Sequence, residues 1–111
     1  MRINGEWLFC DDGVVRPVIR GRVQSSTGEY VVTEFLLDIG ADRTVLNADI
    51  LAQLGLPLLE AEEGLSGLGG GTDSVEIETR LLLTRDDGTP VVFNSRWAAV
   101  TEPTALDLSV L

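Results

Sequence analysis

The sequence predicts an all-β domain, a barrel or a sandwich, that contains one short helix. Apolar and polar residues alternate from Val75 to Leu83, which is the period of a β-strand with one buried face. Turn-forming residues recur at short intervals between the apolar segments, most clearly in Ser25-Ser26-Thr27-Gly28 and Asp86-Asp87-Gly88-Thr89. Helical spacing of apolar residues occurs once, between Ala48 and Leu54.

The strand predictions follow the apolar segments in chain order. They cover residues 7–9, 14–23, 29–37, 44–46, 75–83, 90–93, 96–101 and 105–111. Pro17 indicates that the second of these segments lies at an edge of the sheet, because proline cannot donate to a strand ladder.

The helix prediction has a clear start and a clear stop. Asn47 is a good N-cap, and Ile50, Leu51 and Leu54 fall on one face. Gly55 stands where a C′ glycine belongs, and the proline two residues later prevents continuation.

Composition restricts the function. The 111 residues suit one domain, 1–111, and their net charge of −10, with no Lys and no His, argues against nucleic acid or an anionic membrane as the main partner. Absence of His removes the usual general base and the commonest metal ligand, and the single Cys10 excludes an internal disulfide and a zinc cluster. No segment resembles a signal peptide or a membrane span, so an intracellular, cytoplasmic protein is expected.

One acidic residue stands out because of what precedes and follows it. The apolar run Phe35-Leu36-Leu37 leads directly to Asp38, and Gly40 and Ala41 then leave the backbone open to a ligand. An acid at the end of a buried strand is costly to ionise unless hydrogen-bond donors surround it. The plainer interpretation is a strand that ends in a polar turn.

A glycine-rich stretch lies downstream, in residues 64–72. Because strands are predicted after it, it is interpreted as the mobile tip of a hairpin. A phosphate-binding loop is the competing interpretation, but no Lys follows the glycines and the next segment is not helical.

A carboxylate at a strand end and a glycine-rich hairpin are compatible with peptide hydrolysis by carboxylates. One carboxylate activates water while a second, protonated one donates to the leaving amine, so two are needed. Asp38 is the one candidate with an apolar lead-in, since the Asp pairs at 11–12 and 86–87 precede glycine in polar turns. If the site is such a pair, the second carboxyl must come from another copy across a two-fold axis.

From about Val14 to Leu111, the sequence resembles the retropepsin-like aspartic proteases. Leu36-Leu37-Asp38-Ile39-Gly40-Ala41-Asp42 looks like the family's catalytic motif, Gly67-Leu68-Gly69-Gly70 like the flap tip, and Leu108-Ser109-Val110-Leu111 like the late apolar strand. The resemblance implies a closed acid-protease-like β-barrel, a homodimer, a peptide or protein substrate, and no metal or other cofactor. It implies Asp38 as the catalytic acid. It also implies that substrate is bound by Gly40, Ala41, Asp42, Leu68, Gly69 and Gly70.

Two features depart from the family pattern. Ile39 stands where the family has a Thr or Ser hydroxyl that hydrogen-bonds across the dimer. The sequence is also expected to lack the family's Gly-X-Asp motif and C-terminal helix. A catalytically impaired module that binds peptides or dimerises is therefore an alternative function, and an unrelated β-barrel binding protein is another.

Overall fold

The computed structural model describes residues 2–37, 43–60, 74–102 and 109–110, with Val110 described for its backbone alone. The strands are β1 Glu6–Phe9, β2 Val15–Gln24, β3 Tyr30–Leu36, β4 Val45–Leu46, β5 Leu59–Glu60, β6 Ser74–Thr84, β7 Pro90–Val100 and β8 Ser109–Val110, and helix α1 is Ala48–Leu54. The prediction of an all-β domain with one short helix is confirmed.

All eight of these strands belong to one sheet, in the order β1-β2-β3-β8-β4-β7-β6-β5. A second pairing, Arg22↔Leu82 and Val23↔Leu81, joins β2 to β6, so the sheet folds back on itself. No ladder in the described part of the chain joins the outer strands β1 and β5. Closure of the barrel therefore stays a prediction.

Helix α1 has the bounds that the sequence predicts. The Asn47 side chain accepts a hydrogen bond from the backbone N–H of Ile50, which satisfies a donor at the helix start. Gly55 ends the helix with a φ of 62°, a left-handed conformation that favours glycine. Ile50 and Leu54 face the interior, and Leu51 packs at its margin.

The core lies between α1 and the inner face of the folded sheet. Its buried members come from β2, β3, β4, α1, β6 and β7, and they are Val23, Phe35, Leu46, Ile50, Leu54, Ile77, Leu81 and Ala99. In β6 the core contacts are made by the odd-numbered residues of the alternating segment, as the period of two predicts.

A tight turn joins β1 to β2 and is held by a bidentate ion pair. The Arg16 guanidinium donates to both carboxylate oxygens of Asp12, at 2.8 Å and 2.7 Å. This hydrogen bonding, together with the bond that Asp12 accepts from the backbone N–H of Val14, lowers the pKa of Asp12 to about 2. Gly13 completes the turn at a φ of 83°. The β1–β2 hairpin therefore has a defined geometry.

Two strand predictions need correction. Pro17 does not mark an edge, because β2 pairs with β1 on one side and with β3 on the other. The missing N–H is tolerated because the β2–β3 ladder begins one residue later, at Val18↔Leu36, and the Pro17 carbonyl still accepts from Leu37 N at 3.1 Å. The segments 90–93 and 96–101 were predicted as separate strands, but β7 runs unbroken because it pairs with β6 along its whole length.

No helix in the described part of the chain is long and apolar enough to cross a membrane.

Candidate active site

The residues that the sequence marks as catalytic or substrate-binding lie outside the described ranges. They are Asp38, Gly40, Ala41, Asp42, Leu68, Gly69 and Gly70. The structure describes the strands that lead into and out of these two segments. It therefore defines the framework of the candidate site.

Strand β8 lies between the two strands that flank the Asp38 segment. Leu36, near the end of β3, pairs with Val110 in a parallel ladder, and Val45, at the start of β4, pairs with the same residue in an antiparallel one. Since neighbouring strands are about 4.8 Å apart, roughly 10 Å separates β3 from β4 across β8. Residues 37–44 connect these two strands, so both ends of the candidate catalytic segment are fixed to one element.

The buried hydroxyl of Ser109 links β8 to its surroundings. Its Oγ accepts a hydrogen bond from the backbone N–H of Asn47 at 3.1 Å and lies 3.3 Å from the Thr33 hydroxyl oxygen. One side chain thus connects β3, β8 and the N-cap of α1. Because Ser109 has no exposed surface, its polar group has to be satisfied by these partners. Sequence analysis did not assign this role to Ser109. The only signal was that Ser109 is the one polar residue of Leu108-Ser109-Val110-Leu111.

Replacing Ser109 with alanine is expected to lower the free energy of unfolding by about 1–3 kcal/mol, since the Asn47 N–H and the Thr33 hydroxyl lose a buried partner. Urea unfolding measures this loss. Ser95→Ala, which removes an exposed hydroxyl on β7, is the matched control and is expected to change the value by at most about 0.5 kcal/mol. Equal losses in the two variants would contradict the role given to Ser109.

A buried carboxylate lies beside the exit of the candidate catalytic segment. Glu76 Oε2 is 2.9 Å from Arg43 Nη2, and Glu76 Oε1 is 3.0 Å from Arg96 Nε. The Glu76 side chain is 6% exposed, whereas the two arginines are 33% and 39% exposed. Arg43 directly follows Asp42, so this ion-pair cluster joins the end of the candidate segment to β6 and β7.

The sheet register explains how the cluster forms. Glu76 pairs with Ala98 on β7, and Ala98 pairs with Val45 on β4. Arg96 stands two residues before Ala98, and Arg43 stands two residues before Val45. Both arginines therefore lie diagonally from Glu76 on one face, within reach of long side chains. Sequence analysis placed Glu76 on a polar strand face and missed its burial, because its partners are far away in sequence.

Glu76→Gln is expected to destabilise the fold by about 1–2 kcal/mol, less than a fully buried ion pair would cost, because both arginines are partly exposed. The neutral amide keeps the size of the side chain, but only its oxygen can still accept a hydrogen bond from an arginine, and its NH₂ group faces the other guanidinium without a bond. Thermal unfolding of Glu76→Gln beside Glu78→Gln measures the effect, since Glu78 is an exposed residue of the same strand. A loss of the same size in Glu78→Gln would rule out a specific role for the cluster.

The structure also describes the strands on both sides of the glycine-rich stretch. Strand β5 precedes this stretch and β6 follows it, and they pair antiparallel through Leu59↔Glu76 and Glu60↔Val75. Residues 61–73 therefore connect two strands of one hairpin. Glu76 belongs to this hairpin and to the ion-pair cluster, so it links the base of the hairpin to the residue after Asp42.

Comparison with known proteins shows a similarity of fold. Neither a protein-family model nor a curated protein sequence matches the chain. Among solved structures, the chain is similar to one described as EIAV protease complexed with the inhibitor HBY-793. The TM-score is 0.57 at 20% sequence identity, over 86% of this chain and 80% of that chain. The chain therefore has a retropepsin-like fold.

Proposed function

We propose that this chain is an aspartic endopeptidase domain in which Asp38 forms a catalytic dyad with Asp38 of a second copy. The observation that carries the proposal is the joint anchoring of β3 and β4 on β8. It supports a short connection, residues 37–44, whose two ends are held by β8 and whose Asp38 carboxyl follows β3 closely. Similarity of the fold to a retroviral protease supports the same interpretation.

The chemistry needs both copies. One ionised Asp38 takes a proton from the attacking water, and the other, protonated, donates a hydrogen bond to the peptide carbonyl and later a proton to the leaving amine. Two carboxyls about 3 Å apart do not both ionise at acidic pH, so the pair holds the shared proton that this mechanism requires and titrates as a unit. No metal and no covalent intermediate is needed.

Substrate is proposed to lie between the Asp38 segment and the glycine-rich hairpin. In this scheme Gly40, Ala41 and Asp42 contact the peptide backbone from one side, and Leu68, Gly69 and Gly70 cover it from the other. The β5–β6 register supports a hairpin here, because its continuation brings the turn to the Gly67-Leu68 pair. An extended peptide would bind by adding its backbone to this hairpin.

A second function is favoured by one residue, Ile39. Isoleucine has no side-chain donor or acceptor, so it cannot form a hydrogen bond between the two Asp38 segments across a dimer axis. On this alternative the chain binds peptides or dimerises and cleaves slowly or not at all.

Ile39→Thr separates the two functions. We expect the wild-type chain to cleave an unfolded protein substrate with an acidic optimum, and Ile39→Thr to increase the rate by supplying the missing hydroxyl. Mass spectrometry of the products from acidic to neutral pH measures both. Cleavage by Ile39→Thr alone would support the impaired module. If neither chain cleaves any substrate of a diverse peptide library, the endopeptidase proposal is wrong.

A further inference from the structure

We propose that β1 is a self-complementary edge strand that pairs antiparallel with β1 of a second copy, with the two-fold axis at Leu8. The proposal does not depend on Asp38 or on catalysis. It follows from three properties of β1, which are its free edge, the direction of its unpaired backbone groups and the nature of its exposed side chains.

Strand β1 is the outermost strand of the sheet. It pairs with β2 through Glu6↔Val18, Trp7↔Pro17, Leu8↔Arg16 and Phe9↔Val15, and with no other strand in the described ranges. Outer strands of natural sheets are commonly protected by proline, lysine or a bulge. β1 contains no proline and no lysine, and its register with β2 is unbroken.

Among the described residues, the backbone groups of β1 that have no strand partner belong to Trp7 and Phe9. The Cys10 N–H donates to the Val14 carbonyl at 3.0 Å, so Cys10 directs its backbone groups toward β2. Direction alternates along an antiparallel strand, so Leu8 and Glu6 also point toward β2, whereas Trp7 and Phe9 point to the free edge. Pro17 is consistent with this alternation. It stands opposite Trp7, in a pair that exchanges no backbone hydrogen bonds, so its missing N–H costs no bond between β1 and β2.

A partner strand must therefore offer outward-facing groups opposite Trp7 and Phe9. With the axis at Leu8, Trp7 of one copy lies opposite Phe9 of the other, and these pairs exchange backbone hydrogen bonds on both sides of the axis. An axis at Trp7 would place Phe9 opposite glycine, and an axis at Phe9 would place Trp7 opposite Asp11. Of these three registers, the axis at Leu8 is the one that gives both aromatic residues an aromatic partner.

The exposed side chains of β1 also favour a second copy of the chain as the partner. Trp7 is 75% and Phe9 73% exposed, and both lie on the face that also carries the half-exposed Val15. Cross-strand aromatic pairs stabilise antiparallel sheets. The one charged residue of β1, Glu6, lies opposite Cys10 of the partner subunit in this register, so no like charges face each other. Two chains with a net charge of −10 repel each other, and β1 is a favourable place of contact because its one acid, Glu6, lies 3.6 Å from Arg20 Nη2.

Leu8→Cys tests the axis directly. At the axis the two Leu8 residues form a non-hydrogen-bonded pair whose Cα atoms are about 4.5 Å apart, a distance that a disulfide spans. In a Cys10→Ser background, mild oxidation of Leu8→Cys is expected to give a disulfide-linked dimer. Phe93→Cys in the same background is the control, because Phe93 is exposed on β7, away from β1. Circular dichroism verifies that each variant is folded.

A mixing experiment tests the register. Trp7→Cys and Phe9→Cys, again without Cys10, are each expected to stay uncrosslinked alone and to form a mixed disulfide when combined. In the Leu8→Cys background, Trp7→Lys/Phe9→Lys is expected to abolish the disulfide-linked dimer, because this register places the two lysines opposite each other across the edge. Leu8→Cys that crosslinks no more than Phe93→Cys would overturn the proposal. Neither measurement uses cleavage, so failure here leaves the endopeptidase proposal untouched.

Discussion

Asp38→Asn is expected to abolish peptide cleavage while leaving the fold intact. The amide cannot take a proton from water at any accessible pH, so the dyad loses its general base. Loss of general acid–base catalysis alone lowers rates by about 10²–10⁴-fold. The rate of product formation at the acidic optimum measures the loss, and the thermal midpoint is expected to stay within a few degrees of the wild type. Asp11→Asn, in the exposed turn between β1 and β2, is the matched control and is expected to retain full activity.

Mixing wild-type and Asp38→Asn chains tests whether the dyad is shared. If both carboxyls are needed and the copies exchange freely, activity falls with the square of the wild-type fraction, to about one quarter in an equal mixture. If each chain carries a complete site, activity falls in proportion to that fraction, to about one half in the same mixture. A proportional decline would therefore contradict the shared dyad even if Asp38 proved essential.

Local sequence signals were sufficient for the helix and for most of the strands. The cap of α1 depends on Asn47 and Gly55, and both act through backbone groups within a few residues, so the helix bounds could be predicted. The alternation in β6 was equally direct, because burial of one sheet face sets a period of two.

Contacts between distant segments could not be predicted in this way. The burial of Glu76 depends on Arg43 and Arg96, which are adjacent to it only through the β4–β7–β6 register. An acid on an alternating strand has the same pattern whether it faces water or an arginine. Ser109 is similar, since its hydroxyl is explained only by the position of β8 beside β3 and the start of α1. The framework of the candidate site therefore could not be predicted from local signals.

The largest effect on stability is expected at Phe35, the residue of β3 that connects the core to the candidate catalytic segment. Phe35 is fully buried and lies beside Ser109 in the β3–β8 ladder. Phe35→Ala removes the ring from a packed core and leaves a cavity, which costs about 3–5 kcal/mol. Since domains of this size are stable by only about 5–15 kcal/mol, a large share of the stability is lost. Urea unfolding measures it. Phe93→Ala, at a position that is 40% exposed, is expected to cost far less.

Gly21 provides an internal check on this packing. A Cβ atom added at Gly21 would lie 2.9 Å from Phe35 Cε2 and 3.0 Å from Leu83 Cδ2, so Gly21→Ala is expected to destabilise the wild-type core. In the Phe35→Ala background the closest of these contacts is gone and the added methyl group fills part of the cavity. The cost of Gly21→Ala should therefore shrink, with a coupling of about 0.5–3 kcal/mol between the two positions. Additive losses would mean that the Phe35 ring does not pack over Gly21, and the assignment of Phe35 to the centre of the core would be wrong.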